Sequence, residues 1–152
     1  MKVYRIGRTR YADDIKGEGA RLFGGRWNHK TFPCIYTSES RALALLEYTV
    51  NVNIEEIPRR LSITTFEIPD KEIKIFSVES LPGDWKESPA PSASKDFGTR
   101  VLVSLSHAVF KIPSAIITEE YNFLLNPLHD AASHFKIVDI KDFVYDVRIK
   151  KV

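Results

Sequence analysis

Three features of the sequence predict a single mixed α+β domain. β-prone runs lie at both ends of the chain, over residues 2–8, 135–140 and 143–149. A sharp strand-to-helix turn falls between residues 34 and 50, and no internal repeat is visible. A chain of 152 residues fits one such domain, and at that length folding buries roughly 70% of the surface the unfolded chain exposes. Hydrophobic residues at 43% and charged residues at 28% are ordinary globular proportions, which exclude a disordered or fibrous chain. The predicted domain covers residues 1–152.

Residues 2–8 read as a strand. Five of the seven glycines fall between Gly7 and Gly25, and the Gly17-Glu18-Gly19 and Gly24-Gly25 clusters predict a loop whose backbone either turns tightly or comes close to a phosphate-bearing ligand. The β-prone run from Cys34 to Thr37 ends in the good N-cap residues Ser38 and Ser40, and residues 41–50 are mostly strong helix formers. Leu43, Leu46, Glu47 and Val50 share one face of that helix at i, i+3, i+4, i+7 spacing. Pro58 prevents continuation, and strands are predicted over 61–68 and 73–76, separated by Pro69-Asp70 and expected to pair or to lie side by side. Residues 81–96, rich in Pro, Gly and Ser, predict a surface excursion pinned by Trp85, with no domain boundary in it. Residues 99–106 favour a helix, 112–118 a loop entering a buried strand, and Asn122, Asn126-Pro127 and Asp130 punctuate the stretch before the closing strands.

The charge balance excludes little but points away from nucleic acid: 22 Lys and Arg against 20 Asp and Glu give +2, and a pI near 8.6 is not a strongly basic footprint. A lone Cys34 makes no intrachain disulfide, and no His/Cys pair has zinc spacing, so a metal-free cytoplasmic protein is expected. Nothing reads as a signal peptide or a membrane span.

Among residues that could carry chemistry, Glu47 stands out, because a carboxylate on an apolar helix face needs a cationic or hydrogen-bonding partner. A structural ion pair with Arg5 or Arg26 is the plain alternative to a catalytic role. Arg26, directly after Gly24-Gly25, offers a guanidinium fork to a pyrophosphate, or is simply an exposed arginine on a turn; the spacing matches neither a P-loop nor a dinucleotide-binding fingerprint. Tyr36 lies in the strand before the Glu47 helix, where its ring either flanks a cleft or joins the core. Ser114 has no nucleophile elbow and reads as a hydrogen-bond donor to a ligand. None of His29, His107, His129 or His134 is expected to act as a base.

Together these residues resemble the RES domain, named for the Arg, Glu and Ser of its pattern. GEGARLFGGRWN at 17–28 is similar to the opening signature; IYTSES at 35–40 with ALALLE at 42–47 to the second block; IPSAI at 112–116 and NFLLNP at 122–127 with His129 to the third; and YDVR at 145–148 to the last. The resemblance implies a fold akin to ADP-ribosyltransferase toxins, with split small β-sheets flanked by helices and an NAD cleft between them. It implies a toxin that cleaves the nicotinamide–ribose bond of NAD with phosphate as acceptor, needing no cofactor beyond NAD as substrate. It also implies a partner antitoxin with a Xre-type helix-turn-helix domain that covers the active-site entrance, while a homodimer is left open. Carried over by position, Arg26, Tyr36 and Glu47 form the catalytic set, with Arg5, Ser114 and Asn122 completing the NAD or phosphate pocket. The chain departs from the family at Lys30-Thr31-Phe32, where a glycine is frequent, and at 130–133, where a proline is common. Competing readings are an ADP-ribosyltransferase acting on protein, an NAD glycohydrolase, an RNA-cutting toxin using Arg26, His29 and Glu47, and a non-catalytic partner-binding domain.

Overall fold

The computed structural model describes residues 1–150; the last two residues of the predicted domain lie outside them. Strands β1 (Lys2–Gly7), β2 (Ile35–Ser38), β3 (Arg60–Glu67), β4 (Lys74–Ile75), β5 (Val109–Pro113), β6 (Tyr121–Leu125) and β7 (Lys136–Val144) join in one sheet of order β4-β5-β6-β2-β1-β3-β7. All neighbours are antiparallel except β4 and β5. Helices α1 (Glu18–Phe23), α2 (Arg41–Asn51) and α3 (Ser92–Val103) connect them. The architecture is the α+β domain expected. The division into two small sheets takes the form of a splay within one: β1 and β2 share a single paired position, Tyr4 with Ser38, whereas β1 pairs with β3 along its whole length. The sheet opens at this seam, and the site lies there.

Helix α2 starts where Ser40 caps it, its hydroxyl accepting from the Leu43 N–H at 3.0 Å. Its packed face is Leu43, Ala44 and Thr49, with Val50 half exposed at 51%, so the predicted stripe is rotated toward Ala44 and Glu47 faces a cleft instead of the core. The predicted glycine loop contains α1, which the local composition conceals. Gly17 supplies the left-handed turn before it (φ 73°), and a side chain there would also meet the Cys34 backbone nitrogen at 2.7 Å. Asp14, rather than the residue next to the helix, caps α1 by accepting from the N–H groups of Lys16, Glu18 and Gly19.

Several expectations are corrected by long-range pairing. Strands β3 and β4 are not neighbours: β3 lies between β1 and β7, and β4 joins β5 at the opposite edge. The excursion ends earlier than predicted, at α3, which begins at Ser92. Residues 114–118 leave the buried strand β5 instead of entering one. Asn122, read as punctuation, sits inside β6, whose Phe123, Leu124 and Leu125 are buried. The two closing runs are a single strand, β7, and the chain then leaves the sheet. Trp85 does pin the excursion, stacking on Trp27 at 6.2 Å between ring centroids. Trp27 also meets Phe97 of α3 edge-on, and α3 approaches so closely that a side chain at Gly98 would overlap the Trp27 carbonyl.

Candidate active site

A cleft of about 490 Å³ opens at the β1–β2 seam under α2, within the usual range for small-molecule sites. Arg5, Arg26, Tyr36, Glu47 and Asn122 all line it. A second chamber of about 570 Å³ adjoins it and shares Arg5, Tyr36 and Tyr48.

Glu47 projects from the middle of α2 and forms no ion pair among the described residues, so neither Arg5 nor Arg26 neutralises it. Its Oε1 accepts from the Ser114 hydroxyl and the Asn122 side-chain amide, each at 2.7 Å. Asn122 lies opposite Ser38 in the β2–β6 ladder, and the Ser38 hydroxyl donates to its Oδ1 at 2.7 Å, which fixes the amide with its N–H toward Glu47. Ser114 is fully buried and its oxygen also accepts from the N–H groups of Ile116 and Ile117. Two neutral donors thus hold one carboxylate oxygen, and Oε2 has no hydrogen-bond partner among the described residues. The expectation that Ser114 donates to a ligand is corrected: its proton goes to Glu47.

Tyr36 stands on β2 with its hydroxyl donating to Asn28 Oδ1 at 2.6 Å and accepting from the Trp27 N–H at 2.9 Å. Burial, with Cys34 beside it, pushes the Tyr36 phenol well above its ordinary range, so it remains protonated. A side chain at Gly25 would come within 2.6 Å of the Tyr36 hydroxyl, so that glycine is required by the ring. Arg26 spends one nitrogen on the excursion, Nη1 donating to the carbonyls of Trp85 (2.7 Å) and Glu87 (2.8 Å). The rest of its guanidinium is uncommitted among the described residues. Arg5 is more occupied: Nη1 and Nη2 donate to the carbonyls of Asp14, Tyr11 and Ala12, and the group lies 4.9 Å from the Phe66 ring centre. Burial draws its pKa down, against the opposing pull of Asp14 and Asp13. Arg5 therefore builds the 11–14 loop first, and only its remaining donors are free for an anion.

Residues 2–146 match the RES domain. The chain belongs to the RES domain family. This RES domain is 36% identical over 145 residues to the "Prs ADP-ribosylating toxin" of Sphingobium sp. (strain YBL2), covering 93% of this chain and 90% of that protein. It is 36% identical over 152 residues to "Toxin Res" of Yersinia enterocolitica, covering 99% of this chain and 100% of that one. Its fold is similar to that of a chain in the M. tuberculosis MbcT–MbcA toxin–antitoxin complex, with a TM-score of 0.73 and 19% identity over 94% of this chain and 84% of that one.

Within this RES domain the residues singled out from sequence line one cleft, except Ser114, which buttresses it from behind through Glu47. Sequence reasoning gave no part in the site to Asn28 or to Ser38, which was read as a helix-cap candidate and instead ends β2, with Ser40 as the cap. Asn28 is completely buried, its Nδ2 donating to the carbonyls of Ala20, His29 and Phe32 while Oδ1 holds Tyr36. Its place at the end of the opening signature was the available signal; Ser38 gave none, because its partner is set by strand register. The histidines stay at the periphery: His129 caps a turn by accepting from the Ala131 N–H, and His29 meets the exposed Asp96 at 2.6 Å. Among the described residues no group of three or more His, Cys, Asp or Glu side chains could hold a metal ion, and no helix is long and apolar enough to cross a membrane.

Proposed function

We propose that this protein is the toxin of a toxin–antitoxin pair and cleaves the nicotinamide–ribose bond of NAD, with Glu47 as its electrostatic centre and inorganic phosphate as acceptor. The observation that carries this reading is the Glu47 carboxylate, oriented by Ser114 and Asn122 through one oxygen, lining the cleft and ion-paired to no cation among the described residues.

Departure of nicotinamide builds positive charge on the ribose C1 and ring oxygen. A fixed anion in a partly desolvated cleft lowers the barrier to that charge, provided it is positioned beforehand. Glu47 Oε2 supplies the anion, and its held partner oxygen supplies the positioning. Tyr36, neutral and clamped by Asn28, offers a ring edge against the nicotinamide ribose. The uncommitted donors of Arg26 and Arg5 bind the pyrophosphate or the entering phosphate, whose bidentate oxygens suit a guanidinium. The electron pair of the breaking C–N bond leaves with nicotinamide, and a phosphate oxygen forms the new bond to C1.

The relatives' names support the reading: one is called an ADP-ribosylating toxin, and the fold recurs in a toxin–antitoxin complex. An antitoxin, of the Xre type in this reading, silences the protein by covering the cleft mouth. Transfer to protein and hydrolysis by water share the first half of the reaction, so the acceptor needs its own test. Incubation with NAD, with and without inorganic phosphate, followed by phosphorus NMR, should yield a phosphorylated ADP-ribose only when phosphate is present. Equal turnover without phosphate would make the enzyme a glycohydrolase or protein modifier.

A further inference from the structure

Phe23 closes α1 with 68% of its surface exposed. Of the nine phenylalanines, six tyrosines and two tryptophans it is the one in the exposed class; every other aromatic is buried or half buried. It is not stranded on a random surface: Phe23 lines both chambers of the cleft. It makes no ring–ring contact among the described residues. Its backbone is nevertheless fixed. The Gly24 N–H donates to the Ala20 carbonyl at 2.8 Å, Gly24 turns through φ 72°, and the Gly25 N–H donates to the Asn28 carbonyl at 3.1 Å. An aromatic side chain held in water at a cleft mouth is a preformed stacking platform for a planar heteroaromatic ring.

We infer that Phe23 stacks on the adenine of NAD and sets the preference for an adenine dinucleotide; the inference rests on the NAD reading above. The division of the cleft decides which ring it takes. Glu47, Arg26 and Asn122 line only the first chamber, so the reacting nicotinamide ribose belongs there. Phe23 borders both chambers, and the base that does not react is the one left to reach it, with the pyrophosphate passing Arg5, which also lines both.

The test compares wild type, Phe23→Ala and Phe23→Trp for the KM of NAD and for inhibition by AMP, which carries adenine and phosphate without nicotinamide. Loss of one stacked base should raise both the KM and the AMP inhibition constant about tenfold in Phe23→Ala, with kcat changed far less, and Phe23→Trp should restore both. An unchanged KM in Phe23→Ala, or an AMP that fails to inhibit wild type, overturns the inference while leaving NAD cleavage intact. A wild-type protein that releases no nicotinamide removes the underlying reading instead. A Phe23→Ala protein that loses only its grip on an antitoxin, with KM unmoved, would assign the ring to that interface.

Discussion

At the scale of single residues the chemistry turns on how Glu47 is held. Glu47→Gln preserves an oxygen for Ser114 and Asn122 to bind but removes the charge, so turnover should fall about 100- to 1000-fold with the melting temperature little changed. Nicotinamide release and a thermal melt on the same preparation check both halves. Ser114→Ala acts differently, because it also deprives the N–H groups of Ile116 and Ile117 of the buried Ser114 oxygen. It should destabilise the protein by about 1 to 3 kcal/mol in chemical denaturation and lower kcat as well. The types of residue at the site were legible from the chain: a carboxylate among apolar helix positions and an arginine behind two glycines are odd enough to notice. Their partners were not. Ser38 reaches Asn122 through the pairing of β2 with β6, and Arg5 is absorbed by the carbonyls of Tyr11, Ala12 and Asp14, six to nine residues further on, where no sequence pattern marks them.

At the scale of elements, α2 was legible because its start is written locally, in a capping serine followed by strong helix formers. Strand β6 was not, because Asn122 and Asn126-Pro127 look like turn residues until two neighbouring strands pair with it. Helix α1 was hidden for the same reason, being short and bounded by glycines, with its cap supplied from a distance by Asp14. Burial raises the Asp14 pKa, but hydrogen bonds from the N–H groups of Gly19, Glu18 and Lys16 and the nearby Arg5 outweigh it, leaving the group below its ordinary value. A carboxylate depressed on folding stabilises above its unfolded pKa and loses that contribution as the pH falls through the folded one. Amide exchange at Glu18 and Gly19 should therefore accelerate relative to the sheet as the pH drops below the ordinary carboxylate range, and Asp14→Asn should reduce this dependence. Helix α3 presents the opposite case, a contact with no room to yield. Gly98→Ala drives a methyl group into the Trp27 carbonyl and should cost about 3 kcal/mol or more in denaturant titrations, moving the Arg26 loop with it.

For the whole molecule, the organising feature is a sheet that is continuous in order yet joined at its centre by one paired position. Composition foretold one α+β domain, and strand-prone ends foretold that the sheet would use both termini. The strand order was beyond reach, since β7 must return to lie beside β3 and β4 must cross to β5, pairings settled by long-range burial and not by local preference. The splay sets three packed clusters around the cleft: one about Phe66 and Phe123, one about Trp27 and Phe110, and one about Ile6 and Tyr145. Cys34 lies in the second of these, wholly inside, and burial pushes its thiol far up from its ordinary value. It should resist a thiol reagent at neutral pH until the domain unfolds, so the labelling rate should track global stability, and Gly98→Ala should raise it sharply.

The most direct test of the central claim is nicotinamide release from NAD by purified, antitoxin-free protein, measured side by side with Glu47→Gln. Release by the wild type, reduced at least a hundredfold in a Glu47→Gln protein that melts normally, is the predicted result. No release by a folded wild type, or equal release by both, would contradict the assignment of this cleft to NAD cleavage through Glu47.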